Sequence, residues 1–216
     1  CDAQDEPVLW TFLERMLARI ALEPSVLPAG VSLLQLNEEV AQMRARSDEL
    51  GLPVVYGHGD LKPSNVMRLT DGGGLFIAFA LAGAHYRGYD LFKLFRTTRA
   101  PSRAHAAAFI ESYRELTIDA PSVAELHAEA RLAQPLTWLE AAIFFFFAMS
   151  EYPEQADEWA ALAGQRWESY LSTKSLCAPR GAAAMALCEA RERESAAAPQ
   201  PYDSLVADFE SKEIKE

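Results

Sequence analysis

The sequence predicts an α+β fold that is mostly helical, with one short β-hairpin set among the helices. Two observations carry this. Apolar residues recur at i, i+3, i+4 and i+7 through most of the 216-residue chain. Only residues 54–80 switch to the two-residue alternation of strands, broken by Gly- and Asp-rich turn signals. Half the residues are hydrophobic, enough for one large core or a core with a tail.

The elements follow in order. Glu6 to Ala21 carries a helical stripe of Leu9, Phe12, Leu13, Met16, Leu17 and Ile20. Residues 33–50 form a second, more charged helix that Gly51 ends. A short strand begins at residue 54. Val66–Leu69 and Leu75–Phe79 read as a hairpin around Thr70-Asp71-Gly72-Gly73-Gly74. Asp90 to Thr98 and Ser102 to Leu116 read as helices, the latter with Phe109, Ile110 and Tyr113 inward. Ser122 and Glu125 form a capping box that opens a third helix, which Pro135 is expected to interrupt. Residues 136–149 then hold Trp138 and the run Phe144 to Phe147, and a last helix spans 154–174 with Trp159, Trp167 and Tyr170. Residues 1–176 therefore read as the folded unit, and 177–216 as an acidic, Ala-rich tail expected to be disordered.

A formal charge of −11 argues against nucleic acid or an anionic membrane as the main partner. The cysteines at 1, 177 and 188 have no metal-ligand spacing and no evident disulfide framework, which fits a reducing compartment. The longest unbroken apolar run, Ala141 to Met149, is too short to span a bilayer, which needs roughly 18 residues, and suits a buried helix.

Chemistry concentrates in Tyr56-Gly57-His58-Gly59-Asp60-Leu61-Lys62-Pro63-Ser64-Asn65-Val66-Met67. An aspartate that can take the proton of a hydroxyl, followed five positions on by an asparagine that can offer its amide oxygen to Mg²⁺, is the arrangement phosphoryl transfer needs. The pattern is close to the H-R-D-x-x-x-x-N catalytic loop of kinases. A hairpin centred near residues 71 and 72 would place Asn65 opposite Ala78. Kinase-like sites hold a metal-binding aspartate there, and a methyl group cannot replace it.

Residues 54–96 resemble the choline/ethanolamine kinase family, within the aminoglycoside-phosphotransferase-like group of protein-kinase-like folds. There an H-x-D-x-x-x-x-N loop is followed by I-D-F-E-x-A-G and Y-R-G-x-D. This chain matches at Ile77, Phe79, Ala82, Gly83, Tyr86, Arg87, Gly88 and Asp90, and departs at Ala78 and Ala80. The resemblance implies the C-terminal lobe of that fold. The first residue is Cys1 and no Gly-rich strand-loop-strand precedes residue 54, so the N-terminal lobe is expected to be missing. It also implies ATP and Mg²⁺, a small amino alcohol as substrate, a cytoplasmic place in phospholipid biosynthesis, and allows a homodimer.

By the same resemblance Asp60 is the catalytic base and Lys62 meets either the transferred phosphate or solvent. Asn65 is the cofactor- and metal-binding residue, its partner carboxylate replaced by Ala78. His58 is expected to brace the loop, Arg87 to pair with a carboxylate, and Asp90 to cap the helix that starts with it, with a contact to the loop. Trp138, Glu140 and Phe144 are candidate substrate contacts through cation–π attraction, weighed against plain core packing. Two functions stay open: a kinase impaired by Ala78, and a catalytically inactive binding or regulatory module.

Overall fold

The computed structural model describes residues 6–97, 103–117, 121–178, 184–186 and 188–189. Among the described residues the main elements are six helices and two small antiparallel ribbons: α1 Val8–Ile20, α2 Leu33–Glu49, β1 Val54–Gly57, β2 Val66–Arg68, β3 Gly74–Phe76, β4 Gly83–Tyr86, α3 Arg87–Thr97, α4 Arg103–Leu116, α5 Val123–Glu151 and α6 Ala156–Thr173. Single helical turns at Pro63–Asn65 and Phe79–Leu81 flank the hairpin.

The core is organised around α5. Ser122 opens it by accepting the Glu125 N–H at 3.1 Å, as a capping box requires. Leu126, Leu132, Leu136, Leu139, Ile143 and Phe146 are all buried along it. Pro135 does not interrupt it: one continuous helix of 29 residues replaces the two expected segments. A proline inside a helix costs about 3 kcal/mol through a lost hydrogen bond and a ring clash. Each fully buried large apolar side chain returns about 1.5–3 kcal/mol. With α1, α3 and α6 packed on its flanks, burial outweighs the break. By length and composition α5 could cross a membrane, but 78% of its apolar window is buried inside the fold.

The α1 stripe is buried as its spacing demands, with Phe12 half-buried at its edge. Trp10 joins it, its indole N–H donating to the Tyr86 hydroxyl at 3.1 Å. Ser32 caps α2 by accepting the Gln35 N–H, and Gly51 ends it at φ 57°. The far end is fastened by a buried polar group: Glu39 on α2 accepts from the Tyr170 hydroxyl and the Lys174 ammonium.

Two further features differ from the sequence expectation. A strand, β4, precedes α3 and pairs with β1 in the register Val54↔Tyr86 to Gly57↔Gly83. The helix therefore starts at Arg87, so Asp90 lies in its first turn and does not cap it. The hairpin forms, but Val66 faces Phe76, which centres it on residue 71. Asn65 is then opposite Ile77, whose N–H donates to the Asn65 carbonyl at 2.9 Å, and Ala78 falls one residue beyond the ladder. The tail expected from residue 177 lies mostly outside the described residues; Cys177 itself is buried, its thiol donating to the Leu132 carbonyl at 2.9 Å.

Candidate active site

The β1–β4 ribbon brings the two ends of segment 58–82 together at the start of α3. There the Asp90 carboxylate accepts the backbone N–H groups of His58 at 2.6 Å and Gly59 at 3.0 Å. Gly59 adopts φ 77°, and a Cβ on it would meet the Leu81 carbonyl at 2.3 Å, so only glycine fits. Gly88 has an equally specific reason. A Cβ there would lie 2.2 Å from the Glu129 carbonyl oxygen, and its absence lets α3 lie close on α5.

His58 locks the loop from inside. Its Nδ1 accepts the Asp60 N–H at 3.2 Å, which leaves Nε2 to donate to the Ile77 carbonyl at 2.8 Å. One neutral imidazole thus ties the loop to the end of the hairpin, with Phe79 tilted against it at 4.7 Å.

Asp60 sits where these constraints converge. Its Oδ2 contacts Lys62 Nζ at 2.8 Å and accepts from Asn65 Nδ2 at 3.0 Å, while Oδ1 contacts Lys93 Nζ at 3.2 Å. Burial pushes the Asp60 carboxyl up, but the hydrogen bond from Lys62 and the charges of Lys93 and Lys62 outweigh it and hold the group below the usual carboxylate range. Asn65, itself buried, also donates to the Asp60 carbonyl at 2.8 Å, so both amide hydrogens are spent on one residue.

Lys93 is the site residue that sequence reasoning missed. It is 4% exposed and donates to the Gly59 carbonyl at 3.1 Å, in addition to its contacts with Asp60 and, at 3.5 Å, with Glu140. A lysine inside an apolar helical stripe reads as solvated. The available signal was its position three residues after Asp90, which puts both on the same face of α3.

The remaining candidates divide. Glu140 is joined to the loop through Lys93. Trp138 packs edge-on to Phe92 at 6.2 Å and lies under Arg96 and Arg166. Phe144 is 38% exposed and packs edge-on to Phe145, one helical turn beyond Glu140. Arg87 turns from the loop to α5, donating to Glu129 at 2.7 and 2.6 Å and to Glu125 at 3.2 Å. Burial opposes its charge, but these two carboxylates prevail and raise its affinity for the proton.

The residues present do not fit Mg²⁺. Asn65 offers a carbonyl oxygen, Asp60 is already neutralised by two ammonium groups, and Ala78 offers nothing. Among the described residues no group of three or more His, Cys, Asp or Glu could hold a metal. Ala78 nevertheless keeps a distinctive backbone, left-handed at φ 65° and ψ 51°, the one non-glycine residue so placed among those described. Asn and Asp are enriched several-fold over other side chains in that conformation.

Comparison with known proteins agrees with this geometry. A profile of the phosphotransferase enzyme family matches residues 1–126. Ethanolamine kinase 2 of Mus musculus is 24% identical over 189 residues, which cover 78% of this chain and 48% of that protein. The chain thus spans about half the length of the curated relative it matches. An ethanolamine kinase of Plasmodium vivax superposes with a TM-score of 0.58 at 15% identity, over 79% of this chain and 52% of that one. A choline kinase of Cryptosporidium parvum superposes with a TM-score of 0.50 at 13% identity, over 78% and 59%. The fold is therefore the protein-kinase-like fold of the choline and ethanolamine kinases, of which these residues form the helical part.

Proposed function

The chain belongs to the phosphotransferase enzyme family, and from that premise we propose that it is the substrate-side lobe of a small-alcohol kinase whose phosphoryl transfer is impaired. The observation that carries this is the pairing of an intact Asp60–Asn65 loop with Ala78 at the end of the hairpin. The names of the relatives support a small amino alcohol such as ethanolamine or choline as the ancestral acceptor.

In this reading Asp60 accepts a hydrogen bond from the acceptor hydroxyl, orients it and takes its proton as the phosphoryl group arrives. Lys62 and Lys93 supply positive charge beside it. The family implies ATP as donor and Mg²⁺ as its counter-ion, and the second has no adequate ligand set here. Loss of such charge stabilisation usually costs several kcal/mol in the transition state. The free thiols of Cys177 and Cys188 suit a reducing, cytoplasmic setting.

Incubation of the purified chain with γ-labelled ATP and either ethanolamine or choline tests this. No transfer above background is expected. Transfer that disappears in Asp60→Asn would overturn the impairment. A second reading, an inactive binding or regulatory module, is favoured by the engagement of Asp60 with two lysines and Asn65, which occupy three of its roughly four lone-pair sites.

A further inference from the structure

Three helices bring two arginines onto one tryptophan. Arg96 in the last turn of α3 and Arg166 on α6 place their guanidinium carbons 4.4 and 5.2 Å from the ring centroid of Trp138 on α5. Burial lowers the proton affinity of both, and the charge of Arg96 lowers that of Arg166 further. Among the described residues neither guanidinium makes a hydrogen bond or an ion pair, and the Arg96 Nε–H and Trp138 Nε1–H are buried without an acceptor.

The carboxylates close by are already engaged. Glu140, the first to act on Arg96, contacts Lys93; Asp60 contacts Lys62 and Lys93; Asp90 accepts the His58 and Gly59 N–H groups. Buried charges in folded proteins are paired, and buried N–H groups are hydrogen-bonded. Here two cations share one ring, and two buried N–H donors of the same cluster have no acceptor from the described chain. The groups that would attract a cationic ligand are meanwhile taken by the protein's own cations. Arg96 and Arg166 cover the Trp138 ring, and Lys93 lies 5.4 Å from the Tyr89 ring and against Glu140.

The geometry points to an anion-binding site at Arg96, Trp138 and Arg166, which takes a carboxylate or phosphate group of a small ligand beside Asp60. Guanidinium forks suit such planar or tetrahedral oxyanions. This goes beyond the phosphotransferase reading, because it concerns what the lobe binds, whether or not it transfers a phosphoryl group.

The test follows the two N–H groups themselves. ¹H–¹⁵N spectra of the full chain are recorded during titration with inorganic phosphate, malonate, choline chloride and sodium chloride at constant ionic strength. Saturable shifts of the Arg96 Nε–H and Trp138 indole N–H signals with phosphate, malonate or both are expected. A phosphate-only response identifies a phosphate site and a malonate-only response a carboxylate site. Arg166→Gln should weaken binding at least tenfold. Arg166→Lys, which keeps the charge and loses the fork, should weaken it several-fold and serves if the first variant unfolds. No shift, an equal shift with chloride, a shift with choline, or undiminished affinity in the folded variant would overturn the site. Transfer of labelled phosphate to choline, with anion binding intact, would overturn only the impairment of catalysis.

Discussion

The Asp90 carboxylate holds the backbone N–H of His58 at 2.6 Å, so a residue in the first turn of α3 sets the entry of a loop 32 positions earlier. Gly59 is held by the same carboxylate at 3.0 Å. Hydrogen bonds to a charged acceptor contribute about 1.5–3 kcal/mol each. Asp90→Ala should therefore lower stability by about 3 kcal/mol in urea unfolding. Amide exchange at residues 58 and 59 should accelerate by more than that at α5. Unchanged exchange at those two amides would refute the brace.

Ala78 gives the opposite sign. A left-handed backbone costs an alanine about 1–2 kcal/mol, a penalty glycine escapes. Ala78→Gly should raise the thermal midpoint by a few degrees, and Ala78→Asp should be tolerated without loss. Ala78→Val should be worse than the natural residue. A destabilised Ala78→Gly in a thermal scan would mean the strain is absent.

Among the described residues Arg87 is the one ion-pair partner of Glu129, whose side chain is 2% exposed. Removal of one member of a buried ion pair costs about 3–5 kcal/mol, because the other charge stays buried. Arg87→Met should lose about that much in denaturant unfolding. Arg87→Met combined with Glu129→Leu should recover most of it.

His127 is buried, and burial pulls its proton affinity down from 6.5 to about 4. Below pH 6.5 the unfolded chain binds a proton there that the folded chain refuses, so stability falls as pH drops toward about 4. At roughly 1.4 kcal/mol per pH unit the full loss is about 3 kcal/mol. Asp60 and Glu39, held low by their lysines, contribute stability that is lost only further down, as pH falls through their depressed values. His127→Gln should flatten the curve of urea midpoint against pH between 6.5 and 4, and an unchanged slope would count against it.

Local signals made most of the helices legible, because a stripe such as Leu9, Leu13, Met16, Leu17 and Ile20 is itself what becomes buried. The capping box at Ser122 and the stop at Gly51 are equally local. The misses are tertiary. Pro135 carries a breaker signal that packing around α5 overrides, and nothing beside it in the sequence announces that packing. The hairpin register slipped by one because its turn spans Leu69 to Gly73, closed by the Leu69 N–H on the Gly73 carbonyl at 2.8 Å. At the site, His58, Asp60 and Asn65 stand out through their spacing. Lys93 and Arg96 come from α3 and Arg166 from α6, and which groups they meet depends on how α3, α5 and α6 cross.

Every residue of β2 and β3 is exposed on the described surface, whereas β4 ends in buried His85 and Tyr86. A two-stranded ribbon of this size adds little to the stability of a domain. The stability of the lobe therefore rests strongly on Asp90, Gly88 and Arg87 and weakly on the hairpin tip. Mutational drift can erase the metal-binding half of such a site while the lobe keeps its shape. A lobe that lost its metal ligands by this route would stay folded and open to a new ligand.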